Sequence, residues 1–234
     1  MEVYGVKSNY KIDSFYFNVL LNFLSDEEQN KINRYLKWED AQRGLIGKIL
    51  TRAIISNRYG LKNEEIYFSA NRFGKPHLEG FKDFHFNISH SGEWVVCAID
   101  SSPVGIDVEK INHIDLDIAN RFFSEEEYRD LIELDEKYRI DYFFDLWSLK
   151  ESYIKAQGKG LSIALDSFSI KKRGDVISIK GNDKNCYFKQ YNVAPDYKLS
   201  VCARNNNLPI GVNIMELNEF TPYSIDSLGG NCRG

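Results

Sequence analysis

The sequence has little proline, little cysteine and no excess of positive charge. Its 234 residues include five prolines and four cysteines, and its 30 lysines and arginines are outnumbered by 34 aspartates and glutamates. Because proline is scarce and no low-complexity tract occurs, a disordered chain is not expected. The net charge of −4 argues against nonspecific nucleic-acid binding and leaves room only for a local basic pocket that holds a small polyanion.

Long apolar runs are also missing. The run from Trp94 to Ile99 is far too short to span a bilayer, which takes about 20 residues. The N-terminal residues lack the basic and apolar regions of a signal peptide. No Cys-x-x-Cys pair occurs, and Cys97 and Cys202 lie in apolar, strand-like runs, which predicts buried thiols. We therefore expect a reduced, cytoplasmic protein that has no membrane partner.

Several common catalytic motifs are absent as well. The sequence contains no P-loop, no Gly-x-Gly-x-x-Gly and no zinc-ligand spacing. Ser89 and His90 are adjacent, but no Gly-x-Ser-x-Gly elbow accompanies them, and neighbouring residues rarely reach each other as nucleophile and base. We place both in a turn over residues 89–93 that follows a strand over 84–88. There a hydroxyl and an imidazole can hold a phosphate.

What is present predicts a buried core and an internal repeat. Hydrophobic residues make up 43% of the chain. Ser25 with Glu28 and Ser124 with Glu127 form two helix-capping boxes about 100 residues apart. Each box is followed by a short helix and then by a long one. The two long helices are predicted over residues 38–59 and 139–157. Apolar strands recur near 95–98 and 199–203. This order predicts an α+β fold made of two similar α/β halves related by pseudo-twofold symmetry.

The best break in the chain is Ser101-Ser102-Pro103. We therefore divide the sequence into an N-terminal half over residues 1–102, a C-terminal half over 103–227 and a flexible glycine-rich tail over 228–234.

Two carboxylates alternate along the first strand of the C-terminal half. Gly105, Asp107 and Glu109 share one face because side chains alternate in a strand. Two carboxylates on one face can share a hard cation, and Gly105 is expected to leave room for a ligand. Taken alone, the pattern fits almost equally well a half-solvated strand with an acidic outer face.

A third carboxylate lies in the long helix that follows. Trp147, Glu151 and Lys155 are four residues apart and share a helix face. An ordinary Glu–Lys pair, worth about 0.3 kcal/mol, would have the same spacing. The sequence Gln157-Gly-Lys-Gly160 ends the helix and adds a basic turn. With this turn, the three carboxylates predict one Mg²⁺ site for phosphoryl-type transfer.

Cations are spread over the first half. They are Lys31, Arg43, Arg72, Lys75 and His90. Singly, each is more typical of a solvated surface than of a site. Lys75 is the better candidate because Gly74 and Pro76 fix its loop.

Together these motifs resemble the 4′-phosphopantetheinyl transferases, and the length resembles their surfactin-type (Sfp-like) branch. The similarity covers most of the chain from Ser25 to Ala203. It rests on five segments: Phe73-Gly-Lys-Pro76, Phe86-Asn-Ile-Ser-His-Ser91, Gly105-Ile-Asp-Val-Glu109, Phe122-Phe-Ser124 with Glu127, and Trp147-Ser-Leu-Lys-Glu-Ser-Tyr-Ile-Lys155 with Gly158-Lys-Gly-Leu161.

The resemblance implies the reaction and its partners. Coenzyme A would donate its phosphopantetheine arm to a serine of an apo acyl or peptidyl carrier protein, as in nonribosomal peptide, polyketide or fatty acid biosynthesis. The by-product would be 3′,5′-adenosine bisphosphate. Members of this branch are monomers of two similar halves, so a monomer is expected. The basic turn after Lys155 would lie near the docked carrier protein.

The resemblance also implies roles for the two halves and for their residues. The N-terminal half would bind the nucleotide end, and the C-terminal half would carry the metal site and the docking surface for the carrier protein. Mg²⁺ would be bound by Asp107, Glu109 and Glu151. Lys155 would contact the phosphates, and Lys150 would support the site. The nucleotide end with its 3′-phosphate would be held by Lys31, Arg43, Lys75, Ser89 and His90.

Some roles stay open at this stage. Glu151 would take the serine proton, alone or through a water. Glu127 is as well explained by its helix cap as by catalysis.

Three positions depart from the family pattern, all at the nucleotide end. Glu28 replaces a lysine, Gln42 replaces a histidine and Gly44 replaces a hydroxyl residue. The nucleotide end is therefore expected to depend more on the remaining cations, Arg43, Lys75 and His90. Two other functions stay open. One is a Mg²⁺-dependent hydrolase of a nucleotide pyrophosphate, which would use the same three carboxylates; the other is a non-enzymatic module that binds coenzyme A or a carrier protein, in which the carboxylates are structural. The transferase is favoured over both.

Overall fold

Two similar halves, each with a short and a long helix and three antiparallel strands, make up most of the fold. A computed structural model describes residues 1–174, 176–180 and 185–229. Within these residues the helices are α1 (Ser14–Leu21), α2 (Asp26–Asn33), α3 (Trp38–Tyr59), α4 (Ala119–Phe122), α5 (Glu125–Glu133), α6 (Glu136–Gln157) and α7 (Leu217–Leu228). The strands are β1 (Glu2–Lys7), β2 (Phe68–Ala70), β3 (Pro76–Leu78), β4 (His85–Ser91), β5 (Trp94–Asp100), β6 (Val104–Lys110), β7 (Ser169–Arg173), β8 (Val176–Lys180), β9 (Tyr187–Tyr191), β10 (Tyr197–Ala203) and β11 (Asn213–Glu216).

The helices confirm the predicted repeat. Ser25 and Ser124 are the N-caps of α2 and α5, and both form complete capping boxes with the glutamate three residues later. The long helices α3 and α6 each have 22 residues. Each ends at a glycine in the left-handed conformation, Gly60 with φ 67° and Gly158 with φ 64°, which an L side chain rarely adopts.

The strands repeat in the same order. β1, β5 and β4 are neighbours in one sheet, and β6, β10 and β9 are neighbours in the other. Every residue of the central strand β5 is buried, as its continuous apolar run predicts. Cys97 and Cys202 are completely buried in the two central strands, which confirms that prediction. Val104, Ile106 and Val108 pack with Val3 and Trp94 in a core shared by the halves.

The C-terminal elements return to the first half. β11 pairs in parallel with β1, from Tyr4–Asn213 to Lys7–Glu216, and α7 packs mainly on α3. The halves predicted at residue 102 are therefore interleaved, because these last elements add to the first sheet rather than to the second. Leu228, which we assigned to a flexible tail, ends α7 and is buried. The rest of the predicted tail, from residue 230, lies outside the described residues.

The edge strands β4 and β6 lie side by side and join the two sheets through side chains. The Asn87 side-chain oxygen accepts a hydrogen bond from the Ile106 backbone N–H at 2.9 Å, and Ser91 Oγ accepts one from the Lys110 N–H at 3.1 Å. The predicted turn over 89–93 is therefore wrong in part. β4 continues to Ser91, and the turn is confined to 92–93, because polar side chains on β4 serve as the link to β6.

Gly105 allows helix α6 to lie directly on strand β6. A Cβ at this position would be 2.0 Å from the Ser152 carbonyl oxygen and 2.3 Å from the Ala156 nitrogen. The expectation that Gly105 leaves room for a ligand is wrong, since the backbone of α6 fills that space. Close packing here fixes α6 against β6 and so fixes the distance between their side chains.

Candidate active site

A cleft of about 570 Å³ opens where the two halves meet. This volume lies in the usual range for small-molecule sites. One wall comes from α3, the floor from the adjoining strands β4 and β6, and the opposite wall from α6. The lining residues are Tyr35, Arg43, Gly44, Gly47, Lys48, Ile88, Ser89, His90, Asp107, Glu109, Trp147, Glu151 and Lys155.

Asp107 is the most buried acidic group of the cleft. Its Oδ1 accepts hydrogen bonds from Lys155 Nζ at 2.6 Å and from Ser89 Oγ at 3.0 Å. Its Oδ2 is buried and has no hydrogen-bond partner in the described part of the chain. Burial raises the pKa of Asp107, while Lys155 opposes the shift. A buried, unpartnered carboxylate oxygen is costly unless a cation or a donor reaches it.

Glu109 and Glu151 add two more carboxylates to the same cleft. Glu109 accepts a hydrogen bond from Ser91 Oγ at 3.0 Å. Burial and then the charge of Asp107 raise the pKa of Glu109 to about 7. The pKa of Glu151 is raised for the same two reasons, in the same order. Three carboxylates thus face one ammonium, that of Lys155, and this excess of negative charge favours binding of a further cation.

The donor set suits Mg²⁺, which prefers carboxylate oxygen. The orphaned Asp107 Oδ2 is a free ligand atom in a buried position. However, no group of three or more His, Cys, Asp or Glu side chains among the described residues is arranged so that it could hold a metal ion. Mg²⁺ often takes only one or two carboxylates and completes its shell with water and substrate phosphates. The residues therefore fit the ion, but they do not form a closed protein cage.

The α3 wall is cationic. Arg43 Nη1 donates to the Gly92 carbonyl oxygen at 2.7 Å, and the guanidinium also pairs with Asp40. Desolvation and then the Arg43 charge lower the pKa of His90, which favours the neutral imidazole at pH 7. An approaching phosphate would reverse the balance, since a nearby anion favours the imidazolium form.

Two family models match the chain. One, described as the 4′-phosphopantetheinyl transferase superfamily, matches residues 103–202, and the other, described as 4′-phosphopantetheinyl transferase, N-terminal, matches residues 11–102. A relative from Bacillus subtilis (strain 168), named 4′-phosphopantetheinyl transferase Sfp, is 44% identical over 223 residues, which are 94% of this chain and 100% of that protein. The chain belongs to the 4′-phosphopantetheinyl transferase superfamily.

Further relatives support the same branch of the family. The 4′-phosphopantetheinyl transferase ffp of Bacillus subtilis is 42% identical over a match that spans 92% of this chain and 97% of that protein. The 4′-phosphopantetheinyl transferase gsp of Aneurinibacillus migulanus is 39% identical over a match that spans 97% of this chain and 96% of that protein. The resemblance to the surfactin-type branch is confirmed. No described helix of this family member is long and apolar enough to cross a membrane.

The structure brings seven of the predicted site residues together in the cleft. They are Arg43, Ser89, His90, Asp107, Glu109, Glu151 and Lys155. The strand alternation and the helical spacing predicted this for the second half, since Asp107 and Glu109 share a strand face and Glu151 and Lys155 share a helix face. Their individual roles remain predictions.

Lys31 lies apart from the cleft. It is exposed on α2, and its Nζ donates to Glu27 Oε1 at 2.7 Å. An exposed pair of this kind contributes little to stability. The position of Lys31 gives no support for contact with the nucleotide end.

Lys75 occupies the next pocket along α6. This smaller pocket of about 280 Å³ shares Glu151 and Lys155 with the cleft. The Lys75 ammonium donates to the carbonyl oxygens of Val104 at 2.8 Å and Lys155 at 2.6 Å. Burial lowers the pKa of Lys75 to about 8. In the structure Lys75 therefore braces β6 against the end of α6.

Lys150 points away from the cleft, and its ion pair with Glu127 accounts for the burial of that glutamate. The Lys150 Nζ contacts both Glu127 oxygens, at 2.8 and 2.6 Å, and the Phe168 carbonyl oxygen at 2.7 Å. Glu127 also accepts from the Ile170 N–H at 2.7 Å, and both side chains are at most 3% exposed. This satisfied buried pair favours the structural role for Glu127 and makes Lys150 a support of the second-half core.

Two of the departures from the family pattern have structural explanations. Gln42 is buried and ties α3 to the segment after β1, because it donates to Ser8 Oγ and the Tyr10 carbonyl oxygen and accepts from the Ile12 N–H, all at 2.7 Å. At Gly44, a Cβ would lie 3.2 Å from the Tyr35 ring. The ring of Tyr35 thus takes the place of a side chain at position 44.

Sequence reasoning missed two polar side chains that line the cleft, those of Tyr35 and Lys48. Lys48 is one turn of α3 beyond Gly44 and five residues beyond Arg43. The signal was available, since Arg43, Gly44, Gly47 and Lys48 fall close together around a helix. It was not decisive, because nothing in the sequence shows that this side of α3 faces the second half.

Proposed function

We propose that this protein transfers the 4′-phosphopantetheine group of coenzyme A to a serine hydroxyl of an acyl or peptidyl carrier protein and releases 3′,5′-adenosine bisphosphate. One observation carries the proposal: three carboxylates and Lys155 face the cationic α3 wall across a cleft of about 570 Å³. Coenzyme A has anionic groups at two places, a pyrophosphate and a 3′-phosphate. The relatives from Bacillus subtilis and Aneurinibacillus migulanus are named as 4′-phosphopantetheinyl transferases, which agrees with this assignment.

The carboxylate side of the cleft would hold the pyrophosphate together with a divalent ion. Asp107, Glu109 and Glu151 would hold Mg²⁺, which when bound supplies the positive charge that offsets the pyrophosphate oxygens. Lys155, whose Nζ lies 2.6 Å from Asp107 Oδ1, would add a second positive charge beside the pyrophosphate. Ser89 donates to the same Asp107 oxygen and keeps the carboxylate oriented.

Glu151 is the candidate general base. The serine oxygen forms a bond to the phosphorus next to the pantetheine arm, and the bond from that phosphorus to its bridging oxygen breaks. The electron pair leaves with 3′,5′-adenosine bisphosphate, and the serine proton passes to Glu151, directly or through a water. Burial and then Asp107 raise the pKa of Glu151, whereas Mg²⁺ bound to the same carboxylate would lower it.

The remaining parts of the proposal concern the setting. Both cleft walls come from one chain, so a monomer is sufficient for the site. The turn over residues 158–160, which begins at the left-handed Gly158, follows Lys155 and would lie near the docked carrier protein. We place the enzyme in the cytoplasm, and we assign it no nucleic-acid or membrane partner, in keeping with its net charge of −4.

An intact-mass assay tests the function. The protein is mixed with coenzyme A, Mg²⁺ and an apo carrier protein, and the carrier is weighed by mass spectrometry. We expect a phosphopantetheine adduct on the carrier. Loss of coenzyme A without an adduct would instead identify a pyrophosphate hydrolase, and unchanged reactants with retained binding would identify a non-enzymatic module.

The variant Glu151→Gln tests the base. It should lower the transfer rate by about 10²–10⁴-fold, the usual contribution of a general base, while the Kd for coenzyme A stays within a small factor. The readouts are the single-turnover rate and calorimetric binding. A Glu151→Gln variant that transfers at the wild-type rate would refute this role.

A further inference from the structure

Lys48 is the cleft-lining cation that no motif identifies. Its side chain is about one-third exposed, and its Nζ pairs with Glu28 Oε1 at 2.9 Å. Glu28 reaches it from α2, the helix packed beside α3. The other oxygen of Glu28 pairs with Arg52 Nη2 at 2.9 Å, and the Arg52 side chain is only 8% exposed.

This three-residue cluster has more positive charge than its carboxylate needs. Arg52 alone would neutralise Glu28, and Arg52 is also held by the Ile66 carbonyl oxygen at 3.2 Å. Lys48 is therefore the surplus cation of the cluster, and it is the member that lines the cleft. A partly exposed pair contributes little to the stability of a fold, so fold stability alone does not explain a second cation here.

The neighbouring groups favour an anionic ligand at this wall. Arg43 is already engaged by Asp40 and the Gly92 carbonyl oxygen. Lys48 donates one hydrogen bond, to Glu28, among the contacts of the described residues. Gly44, one turn earlier on α3, has no side chain that would cover it. Because a lysine ammonium has three protons, Lys48 retains donors for a ligand.

We propose that Lys48, positioned by Glu28, binds the 3′-phosphate of coenzyme A. The inference rests on the proposed function. The pyrophosphate belongs to the carboxylate side with Lys155, so the second anionic group of the ligand falls to the α3 wall. There Lys48 supplies the mobile point charge, and Glu28 keeps the ammonium beside the cleft. A lysine expected on α2 is thus replaced by a lysine on α3, with Glu28 as its partner.

Calorimetry with two ligands tests the assignment. Coenzyme A and 3′-dephospho-coenzyme A differ by the 3′-phosphate alone. Lys48→Gln should weaken coenzyme A binding by about tenfold or more, since a charge-assisted hydrogen bond to phosphate is lost, and should change dephospho-coenzyme A binding by less than about twofold. Lys48→Arg should retain most of the affinity. Lys180→Gln, which removes an exposed lysine paired with Glu126 at 3.1 Å, is the charge-matched control.

Glu28 is tested through Lys48. Because Glu28 keeps the Lys48 ammonium beside the cleft, Glu28→Gln should raise the Kd for coenzyme A in the wild-type background. In the Lys48→Gln background the same change should have no effect on the Kd. Circular dichroism and thermal melts show that each variant is folded. The assignment would be overturned if Lys48→Gln weakened the binding of coenzyme A and of 3′-dephospho-coenzyme A equally. It would also be overturned if Lys48→Gln had no more effect on either Kd than Lys180→Gln. If the wild-type protein bound coenzyme A and formed the adduct, only this inference would fail. If it did neither, the proposed function itself would fail.

Discussion

The contact between strand β6 and helix α6 at Gly105 can be tested by a single methyl group. In Gly105→Ala the added Cβ would meet the Ser152 carbonyl oxygen at 2.0 Å, the Ala156 nitrogen at 2.3 Å and the Lys155 carbonyl carbon at 2.9 Å. All three are backbone atoms, so no flexible side chain can move aside. Ordinary contact begins near 3.4 Å, and the helix must therefore retreat by up to about 1.4 Å (3.4 − 2.0).

That displacement should lower both stability and activity. Overpacking costs typically about 1–3 kcal/mol and occasionally more, and rigid neighbours place this site at the upper end. For a chain of this size about 3 kcal/mol corresponds to a decrease in Tm of roughly 6–12 °C. Asp107 is two residues from Gly105, and Lys155 belongs to the displaced helix. Because misplacement by about 1 Å can cost roughly 10²-fold in rate, the transfer reaction should slow by a comparable factor.

The assay separates the two effects. Thermal melts followed by circular dichroism give Tm, and the transfer rate is measured at a temperature where the variant is fully folded. Gly211→Ala is the control, because a Cβ there has no atom within 4 Å and its φ is not in the left-handed region. If Gly105→Ala matched Gly211→Ala in both Tm and rate, the close contact between β6 and α6 would not be what positions the site.

Two further predictions concern buried lysines. Glu127→Gln leaves Lys150 without its counter-charge and should lower the free energy of unfolding by about 3–5 kcal/mol in urea melts. The double variant Glu127→Leu, Lys150→Met should recover most of the lost stability. A Glu127→Gln variant that is inactive but has wild-type stability would point to a catalytic role for Glu127 instead. Burial lowers the pKa of Lys75 to about 8 from an ordinary 10.5, so between these values the unfolded chain binds more protons and stability rises with pH. From pH 7 to 9 the wild type should therefore gain about 1.3 kcal/mol relative to Lys75→Met. The exposed Lys180, changed in the same way, should show no such difference, and a constant gap for Lys75→Met would show that its ammonium stays charged.

Local patterns predicted much of the fold because they have local physical causes. The capping boxes at Ser25 and Ser124 and the glycines at 60 and 158 mark helix ends through backbone hydrogen bonds and left-handed φ values. Strand alternation likewise placed Asp107 and Glu109 on one face. What local patterns do not contain is the packing of one element on another. Thus Gly105 was assigned to a ligand although it faces α6, and Lys75 was assigned to the nucleotide although carbonyl oxygens hold its ammonium.

The cations show the same limit more sharply. Lys31 and Lys48 are both lysines on helices near the capping box at Ser25, and each pairs with a glutamate of α2. Their spacing in the sequence does not reveal which of them faces the second half. The tertiary arrangement decides, because α3 packs on β4 and β5 and lines the cleft, while Lys31 is exposed on α2.

The departure from twofold symmetry explains why the repeat creates one such cleft. β6 pairs with β10 on one side and meets β4 on the other through Asn87, Ser89 and Ser91 rather than through a backbone ladder. The equivalent strand in the first half, β1, is hydrogen-bonded on both sides, to β5 and to β11. β11 therefore occupies the edge where the counterpart of β4, strand β9, would have to lie. Because β11 and α7 have no equivalents in the described second half, they close one of the two symmetry-related junctions, and the carboxylates of β6 stand only at the junction that stays open.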